Sequence, residues 1–307
     1  MKSFGPIFIF LAAILWATDA PFRLHLTHEL SSNVIVLGEH FVDVLFVLPI
    51  LFFGFAGLRT INARQWGAIL FIAIFGSALA SIAFTQAFHY VNPSIAILLQ
   101  KLQPLVAITL SALILKEKLR PRFWIWAILA LVGAYLISFP GFVPTTYMGE
   151  VFNPNIYGVL LAIVAMVCWG ASTVLGKFAL SSVDFKMMTA LRFSIAFVFL
   201  IVLNLAQGTL AGVSGLTTSD IGYIAIIACV SGVVSLMLYY YGLTYSRASV
   251  ATIAELGFPL GAVVVNWIFI PGSALIPMQL FGMAILLCAV WGLSLYNREV
   301  VTAPIGV

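Results

Sequence analysis

Apolar residues run along this chain in blocks about as long as a helix that crosses a bilayer, separated by short polar or Pro/Gly-bearing stretches. Ten blocks can be laid out: 4–22, 33–55, 65–88, 94–115, 123–139, 156–177, 187–206, 221–243, 249–270 and 278–297. Two divisions need an argument, because residues 65–100 and 256–297 each exceed one crossing. Asn92-Pro93 splits the first, and the Pro271-Gly272 to Pro277 stretch splits the second. Runs this continuously apolar predict helices, since strands of a membrane barrel alternate and backbone amides in hydrocarbon must be paired internally. The single Lys2 ahead of the first block suggests a signal peptide, but no small-residue cleavage site or polar mature domain follows, so the block is read as a retained first helix.

Composition agrees. The 307 residues are 63% apolar and 8% charged, far from the roughly 45–50% and 25% of soluble domains. That excludes a cytosolic enzyme, a disulfide scaffold and a coiled coil. Cys168, Cys229 and Cys288 are widely spaced inside apolar stretches and form neither a disulfide framework nor a metal motif. The formal charge of +4 reports orientation rather than a nucleic-acid partner. With the N-terminus inside, cytoplasmic segments hold Lys2, Arg59, Arg64, Lys116, Lys118, Arg120, Arg122, Lys177, Lys186, Arg247 and Arg298, against Arg23 alone outside. This predicts an all-α membrane protein of ten transmembrane helices with both termini cytoplasmic.

The two halves are related. Trp16-Ala17-Thr18 matches Trp169-Gly170-Ala171, and residues 90–104 align without gaps on 245–259, so that Gln100 meets Glu255 and Pro104 meets Pro259. An odd number of helices per half forces opposite orientations, which predicts two inverted five-helix repeats, 1–140 and 156–300, joined by a loop over 141–155.

Ionisable side chains within the blocks are Asp19, Glu39, His40, Asp43, Lys101, Arg192 and Glu255. At membrane depth each should face a partner or a water-filled cavity, because insertion costs about 2.5–3.5 kcal/mol. Pairing among themselves is the plain structural reading; coupling to protons is the functional one. Lys101 and Glu255 lie just before Pro104 and Pro259, predicting repeat-related kinks that expose backbone and move during gating. Gln100, Gln103 and Ser94 add polar groups, while Trp16, Trp169, Phe84, Tyr90 and Tyr239 are the aromatic cavity candidates. No HExxH, CxxC, P-loop or GxSxG motif is present, so no cofactor or metal is implied, no ATP-binding subunit is called for, and a gradient must supply the energy.

The Trp-bearing first helix of each half, Gln86-Ala87-Phe88-His89-Tyr90, Ala96 through Pro104 to Leu115-Lys116-Glu117, Gly133, Leu191-Arg192-Phe193 and Ala248 through Pro259 together resemble the EamA-type ten-helix members of the drug/metabolite transporter superfamily. Within it, the pattern is similar to the bacterial aromatic amino acid exporters of the YddG kind. The resemblance implies a cavity lined by helices 1–4 and 6–9, export of amino acids across the inner membrane by alternating access, and cavity-side positions for Lys101, Pro104, Glu255 and Pro259. Two departures stand out: the partner of Arg192 in the first half is Glu39, and that of Lys101 in the second is Leu256. A sugar, nucleotide-sugar or lipophilic-drug carrier of the same architecture is an alternative, and an intramembrane enzyme using Glu39 and Asp43 is a remoter one.

Overall fold

A computed structural model of the chain describes residues 4–54, 58–59, 61–91, 93–139, 155–269 and 276–302. Among these, ten helices are long and apolar enough to cross a membrane. They are α1 (Gly5–Trp16 continued by Ala20–Thr27), α2 (Ser32–Gly54), α3 (Ala63–Ala87), α4 (Pro93–Gln100 continued by Gln103–Ile114), α5 (Pro121–Ser138), α6 (Ile156–Ala179), α7 (Phe185–Gln207), α8 (Thr218–Thr244), α9 (Ala248–Ala254 continued by Gly257–Phe269) and α10 (Pro277–Thr302). The predicted blocks fall on these ten helices. The predicted connector over 141–155 lies outside the described residues apart from Asn155.

Local chemistry fixes several helix starts. Asn62 accepts from the amide of Gln65 at 3.0 Å while the Gln65 side chain accepts from the amide of Asn62 at 3.0 Å, a reciprocal cap that opens α3. The same device opens α8, where the Asp220 amide donates to Thr217 at 3.2 Å and the Thr217 amide donates to Asp220 at 2.9 Å. Thr217 follows Asn62 by 155 positions, and the π-helical segments inside α3 (Ile72–Leu79) and α8 (Ile227–Val234) repeat at that same interval. Asn155 and Asp184 cap α6 and α7 through their side-chain oxygens, and Gly208, at φ 69°, ends α7 in a left-handed turn.

Packing follows an exchange rule. α1 lies on α8 as α6 lies on α3, and α1 lies on α9 as α6 lies on α4; α2 pairs with α7, α5 with α10 and α4 with α9. Glycine permits the closest crossings. A methyl on Gly133 would stand 2.8 Å from the Gly282 carbonyl oxygen, and one on Gly242 would stand 2.6 Å from that of Gly5.

Proline has a different role from the one expected. Rather than kinking continuous helices, Pro104 and Pro259 sit in the first turns of second half-helices, beyond true breaks at Lys101-Leu102 and Glu255-Leu256. In a first turn the missing amide has no intrahelical partner to lose.

One end of the bundle is tied by polar contacts. The Glu117 carboxylate, just past α4, accepts from the amides of Ala248 (2.8 Å) and Ser249 (3.1 Å) at the start of α9, with Arg247 3.7 Å away. Lys177 donates to the carbonyls of Leu243 and Thr244 at the end of α8, and Asn297 of α10 bridges Tyr245 and Arg247. A carboxylate seated on a helix N-terminus satisfies orphan amides and complements the dipole. Glu117→Ala is therefore expected to lower stability by about 1–2 kcal/mol, with Glu117→Gln recovering part of it; thermal unfolding in detergent reads both.

Candidate functional site

A cavity of about 210 Å³ lies among α1–α4 and α6–α9, away from the tied end. α1 reaches it from its second half, α2 and α4 from their first halves, and α3 from its last turns, so the lining side chains meet deep within the bundle.

The two Trp residues found by internal similarity face this cavity. Trp16 packs against Tyr239 with ring centroids 5.1 Å apart, and Trp169 packs against Phe84, also at 5.1 Å. Trp16 and Trp169 open corresponding stretches of the two halves, and Phe84 and Tyr239 are separated by the 155-residue interval. The cavity thus has two related aromatic walls. The Trp169 ring is further fixed by its Nε1, which donates to the Gly76 carbonyl at 2.9 Å. That carbonyl lies in the first π-helical segment and also accepts from Arg192 at 3.2 Å. π-helical segments disturb the regular ladder and occur often at functional sites. In the second segment, Ser231 donates to the Leu15 carbonyl at 3.1 Å and meets Thr18 at 3.2 Å.

Lys101 and Asp43 apart, the charged residues of the lining divide into three groups. Arg23 binds Asp19 through Nε (3.0 Å) and Nη2 (2.9 Å), Glu39 at 3.0–3.1 Å, and the Thr85 hydroxyl at 2.9 Å. Glu255 sits at the break in α9 and accepts from Tyr239 at 2.9 Å, Thr173 at 3.2 Å and Gln103. Arg192 is held by the Ser77 hydroxyl at 2.7 Å, the Tyr240 hydroxyl at 3.0 Å and the Gly76 carbonyl. Lys101, at the break in α4, has no hydrogen bond or ion pair among the described residues; its ammonium lies 5.4 Å from the Phe258 ring centroid.

Of the residues singled out in the sequence, Trp16, Asp19, Glu39, His40, Asp43, Phe84, Gln100, Lys101, Gln103, Pro104, Trp169, Arg192, Tyr239, Glu255 and Pro259 are brought together. Tyr90 is not: it is 40% exposed and packs edge-on against Tyr157. The side chain of Ser94 lies outside the described residues. Arg23 corrects the sequence reading. It is no outside loop residue but a buried member of α1, 7% exposed. Its spacing of four from Asp19 is the helical signal that could have placed it. Ser77, Ser172, Thr173, Phe193 and Phe258 also line the cavity without having been singled out. Among the described residues no group of three or more His, Cys, Asp or Glu could hold a metal ion.

A ten-helix bundle around a central polar and aromatic cavity, with broken helices at its middle, defines a membrane carrier. The chain belongs to the EamA-like transporter family, whose profile matches residues 3–139 and 156–295. It is 31% identical over 305 residues to the riboflavin transporter ImpX of Fusobacterium nucleatum, covering 95% of this chain and 98% of that one. It is 28% identical over 200 residues to the uncharacterized transporter YwfM of Bacillus subtilis, covering 65% and 64% respectively. A crystal structure of a protein 15% identical shares the fold, with a TM-score of 0.67 over 95% of this chain and 97% of that one. The protein is accordingly a multi-pass secondary transporter of small metabolites and not an enzyme.

Proposed function

We propose that the cargo is a planar aromatic metabolite with a polar arm, riboflavin foremost. The carrying observation is the pair of aromatic walls, Trp16 with Tyr239 and Trp169 with Phe84, facing one cavity. Flat rings stack favourably on such surfaces. Gln100, Ser81 and Ser172 supply hydrogen-bonding groups for the arm. The full-length likeness to a riboflavin transporter supports the same reading. Reconstituted protein should exchange labelled riboflavin saturably, with competition from other flavins; folded protein that exchanges no flavin overturns the proposal.

The unpaired Lys101 ammonium favours a second reading, an exporter of aromatic or hydrophobic amino acids whose carboxylate Lys101 would hold. The two readings separate in one variant. Lys101→Ala should leave flavin exchange largely intact but abolish amino acid exchange.

The transport cycle we infer is alternating access by two inverted five-helix repeats, residues 1–140 and 156–300, in a bacterial inner membrane with both termini cytoplasmic. The 155-residue recurrence of caps and π-helical segments, the exchange rule in helix packing and the excess of Lys and Arg on one side support it. In this conformation the end tied by Glu117 and Lys177 is the closed gate.

A further inference from the structure

Seven side chains of types that are charged at neutral pH in water line the cavity: Arg23, Lys101 and Arg192 against Asp19, Glu39, Asp43 and Glu255. With all of them ionised the lining has one negative charge too many, and an unbalanced charge is costly at membrane depth. Three of the four carboxylates are provided for. Asp19 and Glu39 share Arg23, and Glu255 accepts from three donors. Asp43 is the exception. It is 2% exposed, and among the described residues its Oδ1 has no hydrogen-bond donor and it forms no ion pair. The carboxylate lies against Gly232 in the second π-helical segment, where a side chain at 232 would have to displace it.

We propose that Asp43 is a proton-binding site, and that the cavity closes over its cargo only when that proton is in place. The step is simple acid–base chemistry: the carboxylate takes a proton from a hydronium ion in the open cavity, one O–H bond breaks there as another forms on Asp43, a water molecule is left, and the lining becomes neutral. The groups facing Asp43 are consistent with this. On its own helix are Glu39, one turn away, and His40; Arg23 of α1, Arg192 of α7 and the Cys229 thiol of α8 are near enough to act on it through space. Neither arginine is in contact with it, since Arg23 is taken up by Asp19 and Glu39, and Arg192 by Ser77, Tyr240 and Gly76. His40 is the competing site, with a buried, unpartnered Nε2. Its Nδ1 donates to the Val36 carbonyl at 2.9 Å, so a proton on Nε2 would create a third cation beside Arg23 and Arg192. A proton on Asp43 removes a charge instead.

Two readouts test this, and only the second rests on the flavin reading above. Infrared difference spectra of the reconstituted protein between acid and alkaline buffer should contain a carboxylic acid C=O band that is absent in Asp43→Asn and in Asp43→Ser but kept in His40→Gln. Riboflavin counterflow, with equal pH on both sides, should fall in the wild type towards alkaline pH by up to about tenfold per pH unit. Asp43→Asn, which mimics the protonated acid, should keep the acid-limb rate throughout. If the wild type exchanges no riboflavin, the cargo reading fails while the infrared band still decides the proton site. A band that survives in both Asp43 variants, or an Asp43→Asn pH profile that follows the wild type, overturns the proposal.

Discussion

Arg23→Met is expected to destabilise the protein by about 3–5 kcal/mol, the largest effect of any single substitution considered. The variant keeps most of the side-chain volume but leaves Asp19 and Glu39 side by side without their shared cation, and the Thr85 hydroxyl without its donor. With Arg23 7% and Glu39 5% exposed, the little water that reaches them from the cavity is a poor substitute for the lost partner. Arg23→Lys should recover only part of the loss, because an ammonium cannot reproduce the forked contacts to two carboxylates and a hydroxyl. Unfolding temperature and the yield of monodisperse protein in mild detergent would report both. A double variant, Arg23→Met with Glu39→Gln, should be more stable than Arg23→Met alone. If it is less stable, the damage comes from lost packing and not from an orphaned charge.

Trp16→Ala and Trp169→Ala are each expected to weaken the apparent affinity for a planar aromatic cargo by about ten- to hundredfold, the scale of losing a central aromatic anchor. The two variants should differ in stability. The Trp169 indole also donates to the Gly76 carbonyl, so its loss removes one of the two side-chain donors, Trp169 and Arg192, that hold that π-helical oxygen. Trp16 makes no such bond, and Trp16→Phe should restore most of its affinity while keeping the contact with Tyr239. Concentration dependence of counterflow separates affinity from rate. A fall in maximal rate at unchanged affinity for both variants would remove the walls from the binding site and leave them as packing.

Much of this architecture could be read from the sequence because hydrocarbon imposes a length and a periodicity on what crosses it. Ten apolar blocks became ten helices, and the internal match that paired Trp16 with Trp169 and Pro104 with Pro259 led directly to the aromatic walls and the helix breaks. Glu39 and Asp43, one turn apart, were correctly placed on one face towards the interior. Arg23 was misplaced because Arg23, His25 and His28 make the end of α1 look like a loop, and the helical offset from Asp19 carries little weight in one sequence. The π-helical segments left only a faint trace, small residues Gly76-Ser77 and Ser231-Gly232 at the repeat interval, since hydrogen-bond register has no compositional signature. Tyr90 was drawn into the candidate list by its place in the aligned stretch, but the turn before α4 directs it to the outside, onto Tyr157.

The aromatic walls also bear on how the molecule is assembled from its parts. Trp16 comes from before the connector and its neighbour Tyr239 from after it, while Trp169 comes from after and its neighbour Phe84 from before. Each wall is therefore a joint product, and neither five-helix segment contains a complete one. Two polypeptides split at the connector would each lack a complete aromatic wall when expressed alone, and would gain two at once on association. If the walls bind the proposed cargo, recognition in this protein is a property of the seam.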